Sequence, residues 1–362
     1  MKLIPTTILT GFLGSGKTTL LKRILSEAHG QKIAVVENEF GEENIDSEIL
    51  VSDTTEQIVQ MSNGCICCTI REDLRATLQS LAEKKRKGEL DFDRVVIETT
   101  GLADPGPVAQ TFFMDDEVAE SYLLDSILTL VDAKHAATQL NERQEARRQV
   151  GFADRIFISK ADLIDAGELD ALKHRLGHMN PRAPQSVVHF GEVAIKDVLD
   201  LYGFNLNAKL DIDPDFLKDE HAQHDHDHGH EEAHVHGPDC DHPSHQHEGA
   251  DDHAHGAGHH HHVDDDVKSF VFKSERAFDP AKLEDFLGAI VNIYGPKMLR
   301  YKGVLNMKGT EKKVIFQGVH QLMGSDLGPD WGAGEERISK MVFIGIDLPK
   351  DILLQGLENS LV

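Results

Sequence analysis

The chain has few cysteines for its 362 residues, and they are unevenly placed: three of the four fall between Cys65 and Cys68. Four cysteines so distributed do not make a disulfide framework, which turns attention to metal or redox chemistry. No apolar run reaches membrane-spanning length. The stretch from Met1 to Leu13 has a single Lys and no cleavage site, so it is not read as a secretory signal. Basic residues are short too: 37 Lys and Arg stand against 62 Asp and Glu, a formal charge of −25. A net acidic body argues against nucleic acid as the main partner. These absences predict a soluble, cytoplasmic protein with no membrane and no nucleic-acid partner, long enough for two domains.

What is present begins with Gly11-Phe12-Leu13-Gly14-Ser15-Gly16-Lys17-Thr18-Thr19, which fits G-x-x-x-x-G-K-[ST]. It follows a β-branched run, Leu3 to Thr10, and precedes the helix-forming stretch Leu20 to Leu25. Strand, glycine loop and helix together make a phosphate cradle. Gly11, Gly14 and Gly16 let successive N–H groups face one anion at the positive end of the helix. Lys17 can then reach the β- and γ-phosphates, and the Thr18 hydroxyl can ligate Mg²⁺.

Further strands are predicted at 32–38, 56–61, 94–99, 123–132, 155–160 and 186–190, with helices at 72–87, 136–149 and 167–176 between them. The alternation predicts an α/β fold: a doubly wound, mostly parallel sheet whose ligand lies at the carboxyl ends of the strands. Two such ends carry chemistry. Glu98-Thr99-Thr100-Gly101 matches an acid-x-x-Gly element, with Glu98 near Mg²⁺ and the Gly101 N–H near the γ-phosphate. Ser159-Lys160-Ala161-Asp162 is similar to the guanine-reading Asn-Lys-x-Asp element. The Asp162 carboxylate would accept from guanine N1–H and N2–H₂, a pairing adenine does not offer. Ser159 departs from the pattern and supplies no amide. The three elements in order favour GTP over ATP. Leu102 stands where many GTPases carry a water-positioning Gln, so slow intrinsic hydrolysis is expected.

Cys65-Ile66-Cys67-Cys68 places three thiolates on one short turn. Three sulfurs with one position open suit an exchangeable Zn²⁺, because tetrahedral sites take four ligands. Buried apolar cysteines and a redox Cys65/Cys68 pair are the other readings of the same residues. Glu37 and Glu42 are candidates for an added oxygen ligand; solvated loop carboxylates are the alternative. Sixteen of the 22 histidines lie in residues 219–266, among them His224, His226, His228, His230, His234 and His236, interleaved with Asp, Glu and Gly. Such a stretch buries no core and is expected to be disordered, a diffuse metal-collecting tether or else a solvated linker. His29, His135, His174, His178, His189 and His320 are scattered and read as surface or core residues rather than ligands. After the tract, strands are predicted at 268–272, 299–304, 313–321 and 340–346, helices at 279–291 and 351–357, and a polar loop at 324–335 around Trp331. The expected division is a nucleotide domain over 1–204, an acidic His-rich linker over 205–267 and a small α+β domain over 268–362.

Taken together, the phosphate loop, Glu98 to Gly101, Gly64-Cys65-Ile66-Cys67-Cys68, Ser159 to Asp162 and the His tract resemble the CobW/YjiA-type P-loop GTPases over essentially the whole chain. Glu37 to Glu42 also looks like that family's switch region. The resemblance implies a metallochaperone, in which GTP and Mg²⁺ set the metal affinity of the Cys motif and hydrolysis releases metal to a client metalloprotein. Zinc is the first expectation and cobalt, for cobalamin synthesis, the main rival. A passive His-rich metal buffer and a small-molecule P-loop kinase are readings from other classes. Assembly into a homo-oligomer is left open.

Overall fold

Seven strands, together rich in Val, Ile, Leu and Thr, pair side by side and all in parallel. They are β1 (Ile4–Gly11), β2 (Ile33–Asn38), β3 (Ile58–Met61), β4 (Arg94–Glu98), β5 (Tyr122–Asp132), β6 (Arg155–Ser159) and β7 (Gln185–Val188). The order across the sheet is β3-β2-β4-β1-β5-β6-β7. The computed structural model describes residues 3–27, 30–38, 58–61, 69–201, 203–204, 266–332 and 334–362. Continuous apolar strands are what a parallel sheet covered on both faces requires. Ile8 and Leu9 of β1 and Val35 of β2 are fully buried. The helices between the strands supply the cover: α1 (Lys17–Ser26) sets Leu20, Leu21, Ile24 and Leu25 into one core with Leu9, Val35, Val96 and Leu128. β1 lies between β4 and β5, so the chain reverses its direction of travel across the sheet there, and a crevice opens at the carboxyl ends.

The helices α2 (Thr69–Arg86) and α7 (Ala166–Met179) lie where periodicity places them. Two short helices were not foreseen. They are α3 (Pro105–Met114) and α4 (Asp116–Ser121), whose caps Asp104 and Asp115 accept from the backbone N–H groups of Gly106 (2.9 Å) and Val118 (3.0 Å). The single helix expected over 136–149 is two, α5 (Ala136–Glu142) and α6 (Gln144–Phe152), divided at the extended residue Arg143. The Arg147 guanidinium donates to the carbonyls of Leu140 (2.7 Å) and Asn141 (3.1 Å), satisfying the end of the first helix.

The second sheet is antiparallel, in the order β11-β10-β9-β12-β8. Its strands are β8 (Val267–Ser274), β9 (Met298–Leu305), β10 (Lys312–Val319), β11 (Leu322–Asp330) and β12 (Ser339–Ile346). The helices α8 (Pro280–Tyr294) and α9 (Lys350–Asn359) share one apolar core with it, through Leu283, Leu287, Leu353 and Leu357 against Tyr301, Phe316 and Phe343. The expected polar loop at 324–335 is thus corrected. Most of it is the edge strand β11, and the preceding strand stops at Val319. His320 turns the chain in the left-handed region (φ 52°), and the ladder of β10 holds a sequence of weak strand propensity. An outermost strand also tolerates Pro329. Trp331 is buried rather than set in an open loop, with the Lys313 ammonium 4.9 Å from its ring.

The two sheets belong to one compact unit. Gly151 of α6 touches Leu299, Val267 and Ile344 of the second sheet so closely that a side chain there would clash. Arg300 donates to the carbonyls of Phe152 (3.1 Å) and Gly203 (2.9 Å), pairs with Asp154 and lies over the Phe204 ring. Among the described residues no helix is long and apolar enough to cross a membrane.

Candidate nucleotide site

Four strand ends of the first sheet meet in the crevice: β1 with the glycine loop, β4 with Glu98, β5 with Asp132, and β6 with Ser159. At Gly16 the backbone is left-handed (φ 98°), which only glycine adopts without strain, and among the described residues no side chain caps α1. The first N–H groups of α1 therefore point out of the loop with no capping acceptor, at the positive end of the helix dipole. Ser15 is fully buried, and among the described residues its hydroxyl has no hydrogen-bond partner. Uncapped N–H groups and an unpartnered buried hydroxyl fit a phosphate chain, which is rich in acceptor oxygens. Gly11, Gly14 and Thr19 complete the loop, Thr19 exposed.

Lys17 is buried, and its ammonium donates to the carbonyls of Gly11 (2.9 Å) and Phe12 (3.4 Å), which hold the charge within the loop. The Thr18 hydroxyl donates to Glu98 Oε1 at 3.1 Å. A hydroxyl and a carboxylate, both hard oxygen donors, are what Mg²⁺ takes from protein. The sequence-predicted pair is thus together, although the two lie 80 residues apart.

Gly101 sits against the glycine loop: a Cβ there would lie 2.6 Å from the backbone nitrogen of Leu13. Overpacking of this kind costs about 1–3 kcal/mol. Gly101→Ala is therefore expected to weaken nucleotide binding about tenfold while the melting temperature moves by only a few degrees. Titration with a fluorescent guanine nucleotide checks this, and unchanged affinity refutes it.

On the other side of the crevice, Lys160 is left-handed (φ 56°) and its ammonium is 2.7 Å from Asp132 Oδ2. Asp162, on a 3-10 turn (Ala161–Leu163), is half exposed, with His189 Nδ1 3.8 Å away. Lys160 and Asp162 thus follow directly on the end of β6, beside Asp132 at the end of β5. Ser159 does something else: its hydroxyl donates to the Ser15 carbonyl at 2.7 Å, tying this strand end to the phosphate loop.

Three residues that shape this site escaped sequence reasoning. Asp132 is almost fully buried at the end of β5, where it accepts from Lys160, from His135 Nδ1 (2.9 Å) and from the Lys134 N–H (3.0 Å). Burial alone would push its carboxyl up, but the hydrogen bonds and charges of Lys160 and His135 prevail and hold it below the usual carboxylate range. An acid closing an apolar strand was the available signal. Gln149 and Arg148 of α6 had none. Gln149 Nε2 donates to the carbonyls of Gly101 (3.2 Å) and Ala103 (3.0 Å), and Arg148 pairs with Asp104 (2.6 Å). They bind the segment after Glu98 to the helix that packs on the second sheet.

Glu37 is buried at the end of β2, in register with Glu98 on the adjacent β4. Cys65, Cys67, Cys68, Glu42 and the histidines of 219–266 lie outside the described residues, among which no group of three His, Cys, Asp or Glu side chains forms a metal cluster.

Comparison with known proteins agrees with this geometry. The sequence profile described as CobW/HypB/UreG, nucleotide-binding domain, matches residues 5–187, and that of the cobalamin synthesis protein cobW C-terminal domain matches residues 267–361. The chain is 38% identical over 352 residues to the zinc chaperone YjiA of Escherichia coli strain K12, which spans 97% of this chain and 96% of that protein. Identity with the zinc chaperone CobW of a Sinorhizobium species is 28% over 387 residues, 99% of this chain and 97% of the other. The crystal structure of the Zn(II)-bound YjiA GTPase from E. coli matches with a TM-score of 0.72 and 34% identity over 99% of both chains.

Proposed function

This chain belongs to the CobW/HypB/UreG family of nucleotide-binding proteins, and from that premise we propose that it is a GTP-hydrolysing zinc metallochaperone. The observation that carries the proposal is the register of β2 with β4. It sets Glu37, a candidate metal ligand beside the switch segment, next to Glu98, which is bonded to Thr18 of the phosphate loop. Neighbouring strands stand about 4.8 Å apart, so a change at the nucleotide is felt at the metal side within one strand spacing.

In this reading the α1 N-terminus and Lys17 bind the phosphates, and Lys160 and Asp162 select guanine. Mg²⁺, held by Thr18 and Glu98, neutralises charge on the β- and γ-phosphate oxygens. The Gly101 N–H meets the γ-phosphate, and Leu102 offers no water-positioning amide, so hydrolysis is slow. Cys65, Cys67 and Cys68 hold zinc, with Glu37 and Glu42 as oxygen ligands that enter or leave with nucleotide state. The histidines of 219–266 collect ions for that site, and client metalloproteins receive the metal. The division into 1–204, 205–267 and 268–362 follows these roles. The names of the two relatives, both zinc chaperones, support zinc.

If GTP tightens zinc binding, linkage requires that zinc tighten GTP binding equally. Chelator competition is expected to show zinc held about tenfold more tightly, about 1.4 kcal/mol, with a non-hydrolysable GTP analogue than with GDP. Cys67→Ala removes the difference. Equal affinity in both states would return the chain to a passive metal buffer, and a difference seen with cobalt alone would make it a cobalt chaperone.

A further inference from the structure

Two of the histidines read from sequence as scattered are paired. His174 and His178 stand one turn apart on α7, both exposed, with their Nε2 atoms 2.9 Å apart. Their rings meet edge to face at 85°, centroids 4.4 Å apart. Without a metal, one ring's N–H meets the other's lone pair. Once both protons sit on Nδ1, both Nε2 lone pairs converge on one point in solvent.

With metal–nitrogen bonds of about 2.05 Å, a right-angled cis pair spans about 2.9 Å, the separation observed. A tetrahedral ion needs about 3.4 Å, which exposed side chains reach by a small turn about χ1 and χ2. Paired histidines at i and i+4 on one helix face are also the spacing by which helices present imidazoles to zinc.

The backbone beneath the pair is fixed while both rings are exposed. Asp165 and Glu168 form a reciprocal cap at the start of α7, and Leu172, Leu176 and Met179 bury its opposite face. Gln185 donates to the Lys173 carbonyl (3.0 Å), and Ser269 of the second sheet donates to the His178 carbonyl (2.9 Å). Among the described residues the pair belongs to no group of three His, Cys, Asp or Glu side chains, so the described residues supply two ligands. Lys173 and Arg175 flank His174 in sequence and hold the affinity below that of a closed four-ligand site.

We propose that His174 and His178 form a two-imidazole chelate for a borderline divalent cation (Zn²⁺, Ni²⁺, Co²⁺ or Cu²⁺) on the outer surface of the nucleotide domain. The site shares no residue with the thiolates of 65–68 or with the nucleotide crevice. It does not rest on the metallochaperone reading.

The test is modification of the full chain by diethylpyrocarbonate, mapped by peptide mass spectrometry with and without zinc chloride, and repeated with nickel chloride. Metal is expected to slow modification of both His174 and His178 about tenfold once it stands at roughly ten times its dissociation constant. His189, exposed and outside the pair, keeps its rate. In His174→Ala, shown to be folded by circular dichroism, His178 loses its protection because one imidazole does not chelate. The proposal is overturned if neither rate responds to metal, or if His178 is protected as well in His174→Ala as in the native chain.

Discussion

Lys17→Ala is expected to lower the rate of GTP hydrolysis by about 100-fold or more without unfolding the protein. The ammonium is already placed, held by the carbonyls of Gly11 and Phe12 inside a loop that leaves it little exposed. Stabilising charge that is fixed before reaction needs no reorganisation at the transition state, which makes the loss large. The fold should tolerate the change, because two neutral carbonyls beside a solvent-facing crevice lose only one donor, worth about 1 kcal/mol. Single-turnover hydrolysis with purified protein, alongside a thermal melt, separates the two effects. A rate within threefold of the native one, with nucleotide bound, would remove Lys17 from the catalytic machinery.

The largest effect on stability is expected from a residue at the other end of the same strand. Arg94 begins β4 as Glu98 ends it, and it is fully buried. Its guanidinium pairs with the buried Asp125 (2.9 Å), donates to the Thr7 hydroxyl (3.2 Å) and to Gln31 (3.1 Å), and meets Asp200 at the surface. Arg94→Met leaves Asp125 charged among apolar strands, and breaking such a pair from one side costs about 3–5 kcal/mol. Arg94→Met combined with Asp125→Leu is expected to recover more than half of that, since a matched apolar pair carries no stranded charge. Urea denaturation followed at the first sheet provides the measurement. A single-variant loss below about 1 kcal/mol, the value of an exposed pair, would show that water reaches this network.

Much of the nucleotide site was legible because its chemistry is local. The bends at Gly11 to Gly16, the charge of Lys17 and the hydroxyl of Thr18 occupy consecutive residues, and backbone sterics impose their shape wherever they occur. Glu98 and the Lys160/Asp162 pair were legible for a related reason: each closes an apolar strand, and strand ends of a parallel sheet gather on one side. Asp132 closed a strand in the same way, but no familiar pattern drew attention to it. Ser159 was noticed for the amide it lacks, and the structure assigns it a bond to Ser15 instead. The pairing of His174 with His178 was present in the spacing, yet an i, i+4 pair is informative only when both residues face solvent.

By itself, the sequence determined the parallel sheet and the glycine loop at its first strand, and it supplied the donors proposed for guanine, Mg²⁺ and soft metal. These follow from residue periodicity and from backbone conformations that few residues allow. Only the tertiary structure decided that Gln149 and Arg148 tie the segment after Glu98 to α6, that Glu37 stands beside Glu98, and that 322–330 is a strand. Each depends on which elements become neighbours. That choice is made by burying the apolar faces of helices and strands far apart in the chain, and no local stretch of sequence encodes it alone.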